Sequence, residues 1–159
     1  MRIKFFALLP ILIFTNSLLS AQSKIAPYHI SKINAYLVYN QSGKMSENLI
    51  DNESFFLWNT VIGEGSAKEP STQTLVIVEI SGNPKEYTQR DIRLTVMNGN
   101  EVFFKQSLDF VILDENSKNY AAFLLYNTGC SELKLTAEIL NKTLVESKLI
   151  KTIPFQCGE

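Results

Sequence analysis

Period-two alternation of apolar and polar residues recurs along this chain, and it limits the fold more than any other feature. Leu133, Leu135, Ala137 and Ile139 alternate with Lys134, Thr136 and Glu138. Ile92, Leu94 and Val96 alternate with Arg93 and Thr95 in the same way. Successive strand side chains point to opposite faces, so such runs describe strands with one buried and one wet face. Val102, Phe104, Leu108, Phe110 and Ile112 share one parity, interrupted by Gln106. Leu75-Val76-Ile77-Val78 and Ala121-Ala122-Phe123-Leu124-Leu125 are apolar on both faces, which suits central strands.

Turn residues punctuate these runs. Asn98-Gly99 predicts a tight hairpin of type I′, because both residues tolerate positive φ. Asn141-Lys142, Ser81 to Pro84, Asn40 to Lys44 and Asp114 to Asn119 supply the other polar breaks. Strands are expected near 31–39, 55–62, 74–80, 91–97, 101–108, 120–126, 133–140 and 143–153, with 55–62 the weakest and a helical turn within 45–53. Seven to eight strands joined by hairpins predict an all-β, antiparallel two-sheet sandwich. The layout resembles immunoglobulin-like and fibronectin-like modules in general architecture only. A true immunoglobulin domain carries a Trp between its two Cys, and here Trp58 precedes both.

The first residues read as an address. Arg2 and Lys4 form a short positive region, Phe5 to Leu19 are largely apolar, and Ser20-Ala21-Gln22-Ser23 follow. This is the order of a secretory signal peptide, residues 1–21, cut after Ala21 or Ser23. The apolar run, broken by Pro10 and Asn16, falls short of the ~20 residues a membrane span needs. Residues 22–159 are then expected to form a single sandwich domain, secreted or periplasmic, without a membrane span. The absence of a linker-like stretch favours one domain. The formal net charge of −1 lacks the basic footprint of nucleic-acid binding.

Export makes a disulfide of the two cysteines, Cys130 and Cys157, the expected state. If the last three strands form a meander, both cysteines lie at one end of it. Bridging across 27 positions would stabilise by about 3–4 kcal/mol in the chain-entropy picture.

Catalytic parts are scarce. The sole His, His29, lies close to the expected mature terminus, where a general base would be poorly held. Gly63-Glu64-Gly65 lacks the third glycine of a dinucleotide fingerprint, and Asp114 to Leu125 departs from a calcium loop at its fifth, sixth and twelfth positions. No cofactor and no metal site are expected. Asn40, Asn52 and Asn141 begin glycosylation sequons. Glu79 interrupts the apolar run Leu75 to Ile80, either where the strand leaves the core or as an inward carboxyl needing Arg93 or Lys134.

The least ordinary stretch runs from Asp51 to Thr72, where Phe55, Phe56 and Trp58 lead into a Gly-rich charged loop. These aromatics either fill the core or face a partner. Trp58, Asn59, Glu64 and Ser66, together with Asn127 beside Cys130, form the candidate binding surface. The sequence thus points to an exported, non-enzymatic binding module for an unknown protein or surface glycan. A carbohydrate-binding module with Trp58, Tyr36 and Tyr39 as its platform is the second reading, and a small hydrolase with a carboxylate site is the third.

N-terminal sequencing of exported protein is expected to start at Gln22 or Lys24. Retention of Met1 would overturn both the export and the domain limits.

Overall fold

The structure, a computed structural model, describes residues 28–82, 88–112 and 118–158. The signal-peptide expectation lies outside these residues. Seven strands follow in order: β1 (Tyr28–Val38), β2 (Gln73–Gly82), β3 (Thr88–Asn98), β4 (Glu101–Ile112), β5 (Lys118–Tyr126), β6 (Leu133–Asn141) and β7 (Leu144–Ile153). They form two antiparallel sheets, β1-β2-β5 and β4-β3-β6-β7. The two-sheet layout is that of immunoglobulin-like sandwiches in general architecture.

The alternation in the sequence maps directly onto the inner faces of β3 and β6, which the apolar residues of β1 and β2 cover. Ile33, Ala35 and Leu37 of β1 and Val76, Val78 and Ile80 of β2 meet Ile92, Leu94 and Val96 of β3 and Leu135, Ala137 and Ile139 of β6, all fully buried. Burying each of these aliphatic side chains beyond alanine size contributes roughly 1.5–3 kcal/mol.

Several local expectations give way to the sheet. Residues 55–62 are not a ladder strand. They run as a loop that closes in a single 3₁₀ turn, Thr60–Ile62, and make one isolated parallel bridge, Trp58 to Gln156. No helical turn forms within 45–53, where Met45 instead bridges Val38. β5 is an edge strand and not a central one, and Ala122 and Leu124 alternate onto the outer face of its sheet, in register with Ile77 and Leu75. The β3–β4 hairpin pairs Asn98 with Glu101, and positive φ occurs only at Gly99 (56°). A type I′ turn needs positive φ at both central residues and is therefore not formed. A register shift between Val96 and Met97 breaks the β4 parity, leaving Val102 58% exposed. Glu79 neither turns inward nor marks a departure from the core, because Ile80 beyond it is fully buried. It stands on the outer face of β2, where Lys118 donates to its carboxylate at 3.0 Å and Ser31 at 3.0 Å.

A polar cluster ties the two sheets together at the end where β1 begins. The Tyr28 hydroxyl donates to Glu146 Oε2 at 2.6 Å. Arg90 donates to the same oxygen through Nε at 2.7 Å and to Oε1 at 3.2 Å. The Arg90 guanidinium also lies over the Tyr28 ring, 5.6 Å from its centroid. Burial and the bond to Glu146 push the Tyr28 hydroxyl up to about 12. Burial alone would raise the Glu146 carboxyl, but hydrogen bonds from Arg90, Tyr28 and Asn141 outweigh it and hold the group below the usual carboxylate range.

These shifts set opposite pH limits. A raised Tyr28 contributes its stability fully below pH 10 and loses it as pH climbs toward about 12. A lowered Glu146 contributes above the ordinary carboxylate range and loses its contribution as pH falls through its own depressed value. Urea denaturation should show the parent protein losing on the order of 2 kcal/mol relative to Tyr28→Phe between pH 10 and 12. Parallel stability profiles for the two proteins would refute the role of this cluster.

Candidate functional site

The connection between β1 and β2, residues 39–72, is long and almost without regular structure, yet it is closely fastened. Its first part lies along the free edge of β1. The Leu49 amide donates to the Ala35 carbonyl at 2.8 Å and the Ser46 amide to that of Leu37 at 3.1 Å. In return, Ala35 N–H donates to Asn48 Oδ1 and Leu37 N–H to Ser46 Oγ, both at 2.9 Å. Leu49 and Ile50 are thereby carried into the core. Lys151 of β7 pairs with Asp51 at the next turn.

The aromatic stretch follows. Leu57 is the anchor, 5% exposed, and its neighbours point the other way. Phe56 is 58% exposed and Trp58 half-buried, their rings 6.2 Å apart with planes inclined by 2°. Ser66 holds the Phe56 backbone from both sides: its Oγ accepts the Phe56 amide and its own amide donates to the Phe56 carbonyl, each at 2.9 Å. The C-terminal tail holds the other flank. The Gln156 amide donates to the Leu57 carbonyl at 2.9 Å, and the Asn59 amide donates to the Gln156 carbonyl at 2.7 Å. Two glycines make room for this arrangement. A Cβ at Gly65 would sit 2.4 Å from the Phe56 carbonyl oxygen, and one at Gly158 would sit 2.8 Å from the Trp58 ring.

Asn59 turns the chain in a left-handed conformation (φ 47°) that Asn tolerates better than most residues. Its Nδ2 donates to Glu64 Oε2 at 2.9 Å. Its Oδ1 touches Cys157 Sγ at 3.4 Å, and since the half-cystine has no proton this is a contact and not a hydrogen bond.

Cys130 and Cys157 are disulfide-bonded, with Cα atoms 4.7 Å apart. The expected pairing is present, but the meander argued for it is not. β5 belongs to the other sheet, and Cys130 lies on the crossover from β5 to β6. The cysteines meet because β6 begins where β7 ends, Leu133 pairing with Ile153. Gly129 and Thr128 of the crossover pack beneath the aromatic loop: the Thr60 hydroxyl donates to the Gly129 carbonyl at 3.3 Å, and Thr74 and Thr128 share a buried hydrogen bond of 2.7 Å.

Trp58, Asn59, Glu64, Ser66 and both cysteines are therefore brought to one end of the sandwich. Asn127 is exposed at the same end, in a left-handed conformation (φ 56°). Tyr39 does not join a platform. It is 3% exposed, and its hydroxyl accepts the Lys68 amide at 3.2 Å. Tyr36 stands on the outer face of the three-stranded sheet beside Leu75. A cleft of about 370 Å³ opens in the same loop, lined by residues that include Tyr39, Met45, Glu47, Phe55, Ser66 and Lys68. No sequence motif marked it, because it joins separate stretches of the loop around residues 45–47, 54–55 and 66–68.

His29 is exposed on β1 opposite Ser81, whose hydroxyl donates at 2.8 Å to Ser31. The hydrogen bond from Lys118 holds the Glu79 carboxyl below the usual range against some burial, and Ser31 adds to the effect. Among the described residues, no group of three His, Cys, Asp or Glu is placed to hold a metal. No helix among them is long and apolar enough to cross a membrane.

No family model and no curated protein matches the chain. Among solved structures it is similar to a β-glucuronidase of glycoside hydrolase family 2, with 11% identity, a TM-score of 0.48, and 81% of this chain and 13% of that one covered. It is likewise similar to the Bifidobacterium dentium β-glucuronidase, with 13% identity, a TM-score of 0.44, and 82% of this chain and 18% of that one covered. The chain spans less than a fifth of either enzyme.

Replacing both cysteines by Ser is expected to lower the melting temperature by about 10 °C or more, from a loss of roughly 3–4 kcal/mol. Acrylamide quenching of Trp58 fluorescence should rise in the same variant as the tail lets go. Unchanged quenching would show that the tail holds the aromatic loop without the bridge.

Proposed function

We propose that this protein is a non-enzymatic binding module, acting outside the cytoplasm, that engages its partner through the loop-bearing end of the sandwich. The exposed, parallel Phe56–Trp58 pair carries the reading. An aromatic side chain more than half exposed is costly to leave in water, and here hydrogen bonds from Ser66 and Gln156 fix the backbone that presents it. Aromatic groups pre-positioned on a rigid scaffold lose little conformational entropy on binding. The cleft in the same loop, lined by Phe55, adds polar groups, among them Glu47 and Lys68.

Catalysis is not part of the proposal. Glu79 is held ionised by Lys118 and so lacks the raised pKa of a general acid, and His29 is solvent-facing on β1. The second reading, a glycan bound at this end, is supported by the exposed Phe56 ring, whose sugar-facing C–H contacts would not need a deep pocket.

Affinity capture from the native medium or envelope, with the bound partner identified and its dissociation constant measured, tests the proposal. Phe56→Ala and Trp58→Ala should each weaken binding at least tenfold while the melting temperature moves little for Phe56→Ala. A partner bound equally well by both variants would place the surface elsewhere. Turnover of a glycoside, ester or peptide substrate that disappears in Glu79→Gln, with the fold intact, would defeat the non-enzymatic reading.

A further inference from the structure

The outer faces of the two sheets differ in chemistry. On the four-stranded sheet the outward row contains Arg93, Glu138 and Lys148, with Arg93 bound to Glu138 at 2.6 Å and Lys148 3.6 Å from it. The centre of that face is charged and is satisfied by its own ion pairs. On the three-stranded sheet the ladder aligns Tyr36, Leu75 and Leu124 in one row and puts Ile77 in the next. Tyr126 and Tyr120 stand 60% and 55% exposed on the edge strand. The middle of this face is uncharged. Its charges, Lys32, Glu79 and Lys118, lie at one end, where Glu79 and Lys118 pair.

We propose that this face is a second binding surface, separate from the Phe56–Trp58 end, and that its occupant is an extended neutral polysaccharide. Its size argues against a second copy of the chain. Three strands about 4.8 Å apart and some nine residues long make a face of about 400 Å². Two copies face to face would bury about 800 Å² in total, the size of a packing contact and below that of a specific dimer. A narrow strip with an uncharged centre suits a single extended sugar chain. Pyranose rings offer apolar C–H faces to the tyrosines and leucines, and their hydroxyls reach the flanking Asn34 and Gln73 amides. The uncharged centre selects neutral over acidic sugars.

Isothermal titration calorimetry of the full chain against gluco-, manno- and xylo-hexasaccharides tests this. Binding to at least one series is expected, at least tenfold weaker in Tyr120→Ala/Tyr126→Ala and unchanged in Phe56→Ala. Circular dichroism should show the double variant folded, because both side chains are mostly exposed. Absence of binding to every series overturns the proposal. So does binding that is lost in Phe56→Ala and kept in the double variant, which would move the glycan to the loop end. Sedimentation showing a dimer that the double variant dissolves would assign the face to a second copy, and tyrosine-dependent capture of a polypeptide would assign it to a protein. A failed titration leaves the loop-end proposal untouched, since that rests on Phe56 and Trp58.

Discussion

A three-stranded sheet packed on a four-stranded one leaves the edge of β1 to be closed, and the way it is closed organises the rest of the molecule. Unpaired edge amides and carbonyls are both a cost when buried and a template for unwanted pairing. Along the second half of β1 the loop supplies the partners, Ser46, Asn48 and Leu49. Near its start the Ile30 amide donates to the Ser147 hydroxyl of β7 at 3.0 Å. Once 46–50 is committed to this edge, the chain must still travel to β2. The aromatic stretch is part of that route.

The two poles of the sandwich are held by different chemistry. At one, Tyr28, Arg90, Glu146 and Asn141 exchange charge-assisted hydrogen bonds across the sheets, and breaking one partner would leave the others half-buried and unsatisfied. At the other, the disulfide closes over a layer of backbone bonds and small residues, among them buried Ser71, whose hydroxyl is 2.8 Å from the Val38 carbonyl. The first hold depends on pH and the second on redox conditions. The candidate site sits on the redox-held pole.

Alternation made the inner faces of β3 and β6 legible residue by residue, because burial on one side is a period-two signal. Residues 55–62, expected as the weakest strand, are a loop for a physical reason. Phe56, Leu57 and Trp58 do alternate out, in, out, but their neighbour is the tail at Gln156 and not a ladder strand. β5 reads as central because both of its faces are apolar, yet it lies at an edge. Apolar composition reports what a face would tolerate, not which strand covers it. The cysteine pair was legible from compartment chemistry, while its topology was not, since β5 changing sheets leaves no trace in spacing. Phe56, left out of the sequence-based surface, is the exposed partner of Trp58. The pattern that could have found it is the parity of Leu57 between them.

The strand directions carry a mechanical consequence. β1 and β7 run the same way, so Tyr28 and Gly158 lie at opposite poles. A pull applied at these two points loads the β1–β2 ladder in shear, where many hydrogen bonds must fail together. On the other side the force meets Cys157 and crosses directly to Cys130, entering at the end of β5. β6 and β7, enclosed between the two half-cystines, fall outside the load path. Under tension, an oxidised molecule would yield through β1, β2 and β5 first, while the bridge shields a hairpin that supplies half of the four-stranded sheet.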